Sequence, residues 1–265
     1  MKPESQMLQQ HRVSVLIPCL NEAENLPYVL KTMPDWVHEV VVIDDHCTDE
    51  TVSVARELMP EVVIATNHRA PGKGNALVAG MEAASGEILV QVDADGSEDP
   101  AEIHNFVGAL LAGADYAKGT RFIQGGGTSD MPALRRSGNH VLTWFARLLF
   151  PGTRFSDLCY GYNAYWADVA PVLLAAPGFE IETVMNLRAV RAGLRISEVP
   201  SFEAERIHGE GNLQTFPDGW RVLKAIISER RKGRRLVTAP RAKPMISPAE
   251  LAAAGTRRVA HEVVT

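Results

Sequence analysis

EILVQVDADGS, residues 87–97, is the stretch on which the fold turns. Glu87 to Val92 reads as a short buried strand, and it runs straight into Asp93, Ala94, Asp95 and an Asp-Gly turn. Similar units stand earlier in the chain: VSVLIP (13–18) leads into Asn21 and Glu22, EVVVI (39–43) ends on Asp44 and Asp45, and Glu61 to Ala65 forms a third run. Helical patterns separate them, through Leu26, Val29, Leu30 and Met33, over Thr51 to Met59, and over Asn75 to Ala84 behind Gly72-Lys73-Gly74. Unbroken apolar strands alternating with helices predict an α/β fold with a mostly parallel central sheet flanked by helices. Such sheets bind ligands at the carboxyl edge of their strands. All the polar clusters named above, together with Gly72 to Gly74, fall at that edge.

The second half is less regular. A strand is expected over Tyr116 to Gly119, a loop over Gly125 to Pro132, helices over Phe179 to Ala192 and Asp218 to Arg230, and a strand over Leu194 to Val199. The apolar helix Asn139 to Phe150, with Trp144, Phe145, Leu148 and Phe150, is expected in the core, with a platform for a lipid tail or membrane surface as the other reading. Residues 1–12 read as a polar leader, 13–232 as one domain, and 233–265 as a basic, Ala-rich, loosely ordered tail.

Composition narrows the function. With 46% hydrophobic residues, 22% charged and a net charge of -5, the chain's mild acidity argues against a nucleic-acid backbone as the main partner, though not against a local basic pocket for a diphosphate. Three widely spaced cysteines, Cys19, Cys47 and Cys159, argue against a disulfide framework or structural zinc. The start has no signal-peptide core, and no run approaches the roughly 20 apolar residues of a membrane span. A cytoplasmic location is expected, with peripheral membrane contact allowed.

Asp93 and Asp95 carry the clearest chemistry. Two carboxylates at the end of a buried strand need a partner. Mg²⁺ or Mn²⁺ suits them, because such ions take one or two carboxylates plus phosphate oxygens and water. Asp45 is a candidate for a base or ribose contact. Lys73, between glycines at a helix start, can approach a phosphate. Arg121, Arg135, Arg136 and Arg206 can clamp a diphosphate or an acceptor anion.

In order, IPCLNEAENLP (17–27), VIDDHCTDET (42–51), PGKGNAL (71–77), VDADGSEDP (92–100), GTRF (119–122), RRSGN (135–139) and DLCYGYNAYW (157–166) resemble the family-two glycosyltransferases, nearest to dolichyl- and polyprenyl-phosphate sugar synthases. The resemblance implies a GT-A catalytic domain, with residues 13–100 as nucleotide-binding half and 101–232 as acceptor half. It places Pro18, Asn21 and Glu22 beside the nucleotide, Asp45 at base or ribose, Lys73 near the phosphates, and Asp93 and Asp95 at the metal. Ser97 falls where some relatives carry a metal-approaching glutamine, and His208 lies in a loop that closes near the donor. The implied reaction is an inverting transfer from a UDP- or GDP-sugar to a hydroxyl or a polyprenyl phosphate.

Gly178 to Thr183 departs from the lipid-phosphate subgroup by carrying Glu180 and Glu182. Other relatives place a general base near here, which a hydroxyl acceptor needs and a phosphate does not. Glu182 is the preferred base and Glu180 the alternate, which tilts the expectation modestly toward a hydroxyl acceptor. The rival functions are a sugar-phosphate nucleotidyltransferase, disfavoured by IPCLNE at its signature position, and a non-catalytic nucleotide-sugar-binding protein.

Overall fold

The computed structural model describes residues 10–129, 131–152, 155–209 and 215–233. The expected tail lies outside these residues from 234 onward, as does most of the leader. The strands are β1 (Val13–Cys19), β2 (Glu39–Asp44), β3 (Val63–Thr66), β4 (Ile88–Gln91), β5 (Tyr116–Thr120), β6 (Gly127–Thr128), β7 (Asn163–Trp166), β8 (Ile196–Pro200) and β9 (Phe202–Glu203). The helices are α1 (Leu26–Lys31), α2 (Thr51–Leu58), α3 (Lys73–Ala83), α4 (Ile103–Leu111), α5 (Ala133–Leu149), α6 (Ala170–Leu173), α7 (Ile181–Ala192) and α8 (Thr215–Arg231).

A seven-stranded sheet in the order β3-β2-β1-β4-β7-β5-β8 spans both halves of the chain. The β3-β2-β1-β4 block is parallel, with Leu16 opposite Val41 on one side and Gln91 on the other. This is the mostly parallel α/β architecture the sequence predicts. β7 is the exception, running antiparallel between β4 and β5. Its NAYW sequence is too short to show a strand pattern, and its partners are far away in sequence. Helix α4 covers the sheet with Ile103, Phe106, Val107, Leu110 and Leu111, all buried. Phe106 stacks on Tyr162 with centroids 4.3 Å apart. Burying each such side chain contributes about 1.5–3 kcal/mol.

The loop expected over Gly125 to Pro132 holds β6, which pairs with β9 as a separate two-stranded ribbon. Helix α5 departs further from expectation. Phe150 is buried, but Trp144 is 64% exposed and Leu148 62% exposed. The inward positions are Asn139, Thr143 and Ala146. Asn139 turns inward because Asp157 lies beneath it, accepting from Asn139 Nδ2 at 2.8 Å. An apolar run alone does not reveal which side of a helix faces the core. Helix α8 docks on α7 through Val222 and Ile226 against Leu187, and through buried Glu229, which holds Arg191 and, at 2.8 Å, Lys232.

Candidate active site

Four strand ends and one returning loop build a single acidic edge. β1 delivers Pro18, followed by Asn21 in a left-handed turn at φ 59°. Asn21 Oδ1 accepts from the Thr48 amide at 2.7 Å, which joins the first loop to the second. Asp49 accepts from the amides of Ala23 and Thr51, so it closes the start of α2 and the same junction. At the end of β2, Asp45 is buried; its two oxygens accept from Asn67 Nδ2 at 2.6 Å and the Gly72 amide at 2.9 Å.

That second bond fixes the Gly72-Lys73-Gly74 turn. Gly72 has φ +148°, and a side chain at Gly74 would strike the Ala176 carbonyl. The glycines therefore let the turn pack against Ala176 and Pro177, just ahead of α7. Lys73 then points into the sheet edge. Its Nζ lies 2.6 Å from Asp93 Oδ1 and 2.8 Å from Glu182 Oε1. Gly161 makes room for this contact, since a Cβ there would stand 2.8 Å from Lys73 Nζ and 2.9 Å from Asp93 Oδ2. Burial would lower the Lys73 pKa, but Asp93, Glu182 and Glu98 outweigh it and raise it well above the usual lysine value. The side chain is a fixed ammonium.

Asp95 sits on the other arm of the turn. Its Oδ1 accepts from the Ser97 amide at 3.0 Å and the Ser97 hydroxyl at 2.7 Å, and its Oδ2 lies 3.6 Å from Arg206 Nε. Arg206 also grips both oxygens of Glu22, at 2.5 and 3.1 Å. Residues 204–208 lie along the turn, with the Ala204 amide donating to Ser97 O and the Ile207 amide to Asp95 O. Gly96, at φ +80°, admits the Ile207 side chain where a Cβ would block it. Asn25 fastens the far end of this segment by bonding both the amide and the carbonyl of His208. Burial raises the Glu22 pKa despite the opposing pull of Asn25 and Arg206.

The structure thus brings together Glu22, Lys73, Asp93, Asp95, Glu182 and Arg206, with Asp45 one hydrogen bond away through Gly72. Glu98 joins them unforeseen: it is buried and accepts from the Asp93 amide at 2.8 Å. Its pKa is pushed well up by burial and by Asp93, with Lys73 opposing. Glu98, Asn25 and Gly161 lie inside the motif stretches without standing out in them; Asn25, Asn67 and Gly161 act through contacts distant in sequence, and Glu98 through a backbone amide five residues away. Glu180 takes no part in the lysine bridge. It stands at the N-cap of α7 with its carboxylate folded toward Gly178.

Arg121, expected to bind donor, is placed otherwise. Its Nε and Nη2 bond Asp157 at 2.7 and 3.0 Å, and its Nη1 bonds Glu203 at 2.9 Å. Its guanidinium lies 4.8 Å from the Tyr160 ring centre. The reason is local: Asp157 is completely buried and needs a cation. Arg136 stacks over Phe122 at 5.9 Å instead of joining the acidic edge.

Five acids face two fixed cations around this edge, so an anionic diphosphate could approach only with further positive charge. Asp93 and Asp95 remain 32% and 23% exposed, whereas Lys73 and Glu182 are near 10%, at 11% and 9%. No cluster of three or more potential metal-ligating side chains occurs among the described residues. A cation held by Asp93 and Asp95 would therefore have to complete its shell with phosphate oxygens and water.

A GT-A-type sheet with an acidic pair at the end of β4 defines the class as a nucleotide-diphospho-sugar transferase fold. The family model for Glycosyl transferase family 2 matches residues 14–172, and the chain belongs to that family as a glycosyltransferase. It is 31% identical over 234 residues to an undecaprenyl-phosphate mannosyltransferase of Micrococcus luteus, covering 84% of this chain and 94% of the relative. A polyprenol monophosphomannose synthase of Mycolicibacterium smegmatis is 31% identical, with 76% of this chain and 81% of that protein covered. Among solved structures, glucosyl-3-phosphoglycerate synthase from Mycobacterium tuberculosis, in complex with Mn²⁺, UDP and phosphoglyceric acid, superposes with TM-score 0.70. It is 23% identical, over 85% of this chain and 82% of that one. Family membership sets aside the nucleotidyltransferase and non-catalytic readings. No helix among the described residues is long and apolar enough to cross a membrane.

Proposed function

We propose that this chain transfers a sugar from a UDP- or GDP-sugar to a polyprenyl phosphate, with Asp93 and Asp95 holding Mg²⁺ or Mn²⁺. The observation that carries this reading is the Lys73 bridge. Lys73 fixes Asp93, still one-third exposed, next to Asp95 on the same turn, and also occupies the carboxylate of Glu182. A carboxylate oxygen already accepting from a buried ammonium is poorly placed to collect an acceptor's proton. A phosphate acceptor needs no such base, and the relatives at 31% identity are named for polyprenyl-phosphate transfer. These observations support a phosphate acceptor over the hydroxyl toward which the sequence tilts modestly.

An acceptor phosphate oxygen would attack the anomeric carbon as the bond from that carbon to the diphosphate oxygen breaks. The nucleoside diphosphate would depart with the electron pair, with inversion at carbon. A bound divalent cation supplies charge neutralisation for that leaving group. Lys73 holds Asp93 in place, Arg206 steadies Asp95 and Glu22, and Asp45 orders the phosphate-side turn for the nucleotide. Pro18 and Asn21 shape the wall beside the base. A hydroxyl acceptor is the second reading, since Glu182 stands within this edge, and it would require that carboxylate to part from Lys73.

The test measures extractable glycolipid from a panel of UDP- and GDP-sugars, with short-chain polyprenyl phosphate or small hydroxyl acceptors, with and without Mn²⁺. Transfer to the phosphate acceptor, abolished by chelator, is expected. Full transfer in chelator would overturn the metal role. Glu182→Gln separates the acceptors: a loss below about tenfold is expected with phosphate, whereas a true base would cost at least about 10²-fold.

A further inference from the structure

Helix α5 has the polarity of a core helix turned inside out. Asn139, Thr143 and Ala146 face inward, while Leu134, Val141, Trp144 and Leu148 are each 60% exposed or more. At 100° per residue these four side chains share an arc of about 80° opposite Ala146. Val141, Trp144 and Leu148 are contiguous, with Leu134 two turns ahead on the same side beyond Ser137, unlike the scattered single exposures of an ordinary surface.

Its charge identifies the partner. Within a chain of net charge -5, α5 carries Arg135, Arg136 and Arg147 and no acidic residue. Arg136 and Arg147 are exposed and lie together on one side of the stripe, where Arg136 also stacks over Phe122 and Arg147 donates to the Phe155 carbonyl. An apolar stripe with cations beside it and a tryptophan at its edge is the pattern of a helix lying in an anionic lipid interface. Two copies of the same cationic helix would repel each other.

We propose that the outer face of α5 docks this chain on the surface of an anionic lipid bilayer. The purpose of docking, delivery of the active site to a membrane-borne acceptor, rests on the polyprenyl-phosphate reading; the docking itself does not. The full chain is sedimented with phosphatidylcholine vesicles made with and without phosphatidylglycerol, at low and high salt. Binding at least about tenfold stronger to the anionic vesicles, weakened by salt, is expected. Trp144→Ser with Leu148→Ser should reduce it about tenfold without moving the melting temperature, and Leu134→Gln with Val141→Gln should do the same.

Absence of vesicle binding, or equal binding by the variants, would overturn the proposal. A concentration-dependent dimer in sedimentation velocity that the same substitutions dissolve would assign the face to a second copy and also overturn it. Transfer to a water-soluble short-chain prenyl phosphate, measured in parallel, checks the acceptor separately. Variants that keep this transfer but lose transfer to vesicle-embedded acceptor support docking. Vesicle binding without transfer to either acceptor would remove the polyprenyl-phosphate reading and leave docking standing.

Discussion

Lys73 and Arg121 each bridge two carboxylates drawn from distant parts of the chain, yet their partners differ in access to solvent. Lys73 joins Asp93 to Glu182, and Asp93 remains about one-third exposed beside Asp95. Arg121 joins Asp157 to Glu203, and Asp157 is sealed beneath Asn139 and the Arg121 guanidinium. The first bridge leaves carboxylate oxygens open to a ligand. The second satisfies its buried acid completely, so it acts as a strut between the 157 loop and β9. A cation between two acids is thus a site or a support according to what the acids have left to offer.

Replacing the two cations should separate these roles most sharply. Lys73→Met is expected to lower transfer on the order of 10²-fold or more, because the acid at the leaving group loses its fixed position. Arg121→Met should instead cost about 3–5 kcal/mol of stability in urea unfolding, the cost of orphaning a buried charge. Equal stability losses with equal activity losses would erase the distinction.

Gly161→Ala probes the first bridge from behind. Its Cβ would crowd Lys73 Nζ and Asp93 Oδ2, and overpacking of that kind costs about 1–3 kcal/mol. Roughly tenfold slower turnover is expected beside a stability loss of about that size in urea unfolding. Wild-type turnover would show that the bridge can shift freely.

The strut has its own pH signature. Burial would raise the Asp157 pKa, but Lys118, Arg121 and Asn139 bring it down to about 2. A carboxylate depressed in the folded state adds stability above its unfolded pKa of about 3.9 and loses it as pH falls toward 2. About 2 kcal/mol should therefore fade across that window. Urea midpoints for wild type and Asp157→Asn, compared at pH 6 and pH 3, check this; the variant should show a fall smaller by about 1 kcal/mol, roughly half of the whole. Smallest of all, Ser97→Ala removes one hydroxyl bond to Asp95 and should reduce transfer only a few-fold, consistent with about 1 kcal/mol.

The same contrast explains what could be read without coordinates. The parallel block and its polar edges were legible because β1, β2 and β4 are continuous apolar runs ending in acids. Asp93, Asp95, Lys73 and Glu22 stand out as charged groups at strand ends. Glu98 and Gly161 do not, since their importance arises from contacts with Asp93 and Lys73. The role of Arg121 was hidden for the same reason: nothing local announces that Asp157 will be buried against it. Helix α4 carries a regular apolar spacing that a motif-led reading passes over, whereas β7 has no signal apart from its pairing with β4 and β5. In α5 the apolar content was plain but its outward phase was not, because inward Asn139 is selected by Asp157.

Isothermal titration of UDP and GDP into the protein with and without Mn²⁺, for wild type and Asp95→Asn, tests the acidic edge most directly. Wild type should bind one of the two nucleotides at least about tenfold more tightly with Mn²⁺, and Asp95→Asn should lose that gain while its melting temperature holds. Equal nucleotide affinity with and without the ion, or an undiminished gain in Asp95→Asn, would contradict a shared cation at Asp93 and Asp95.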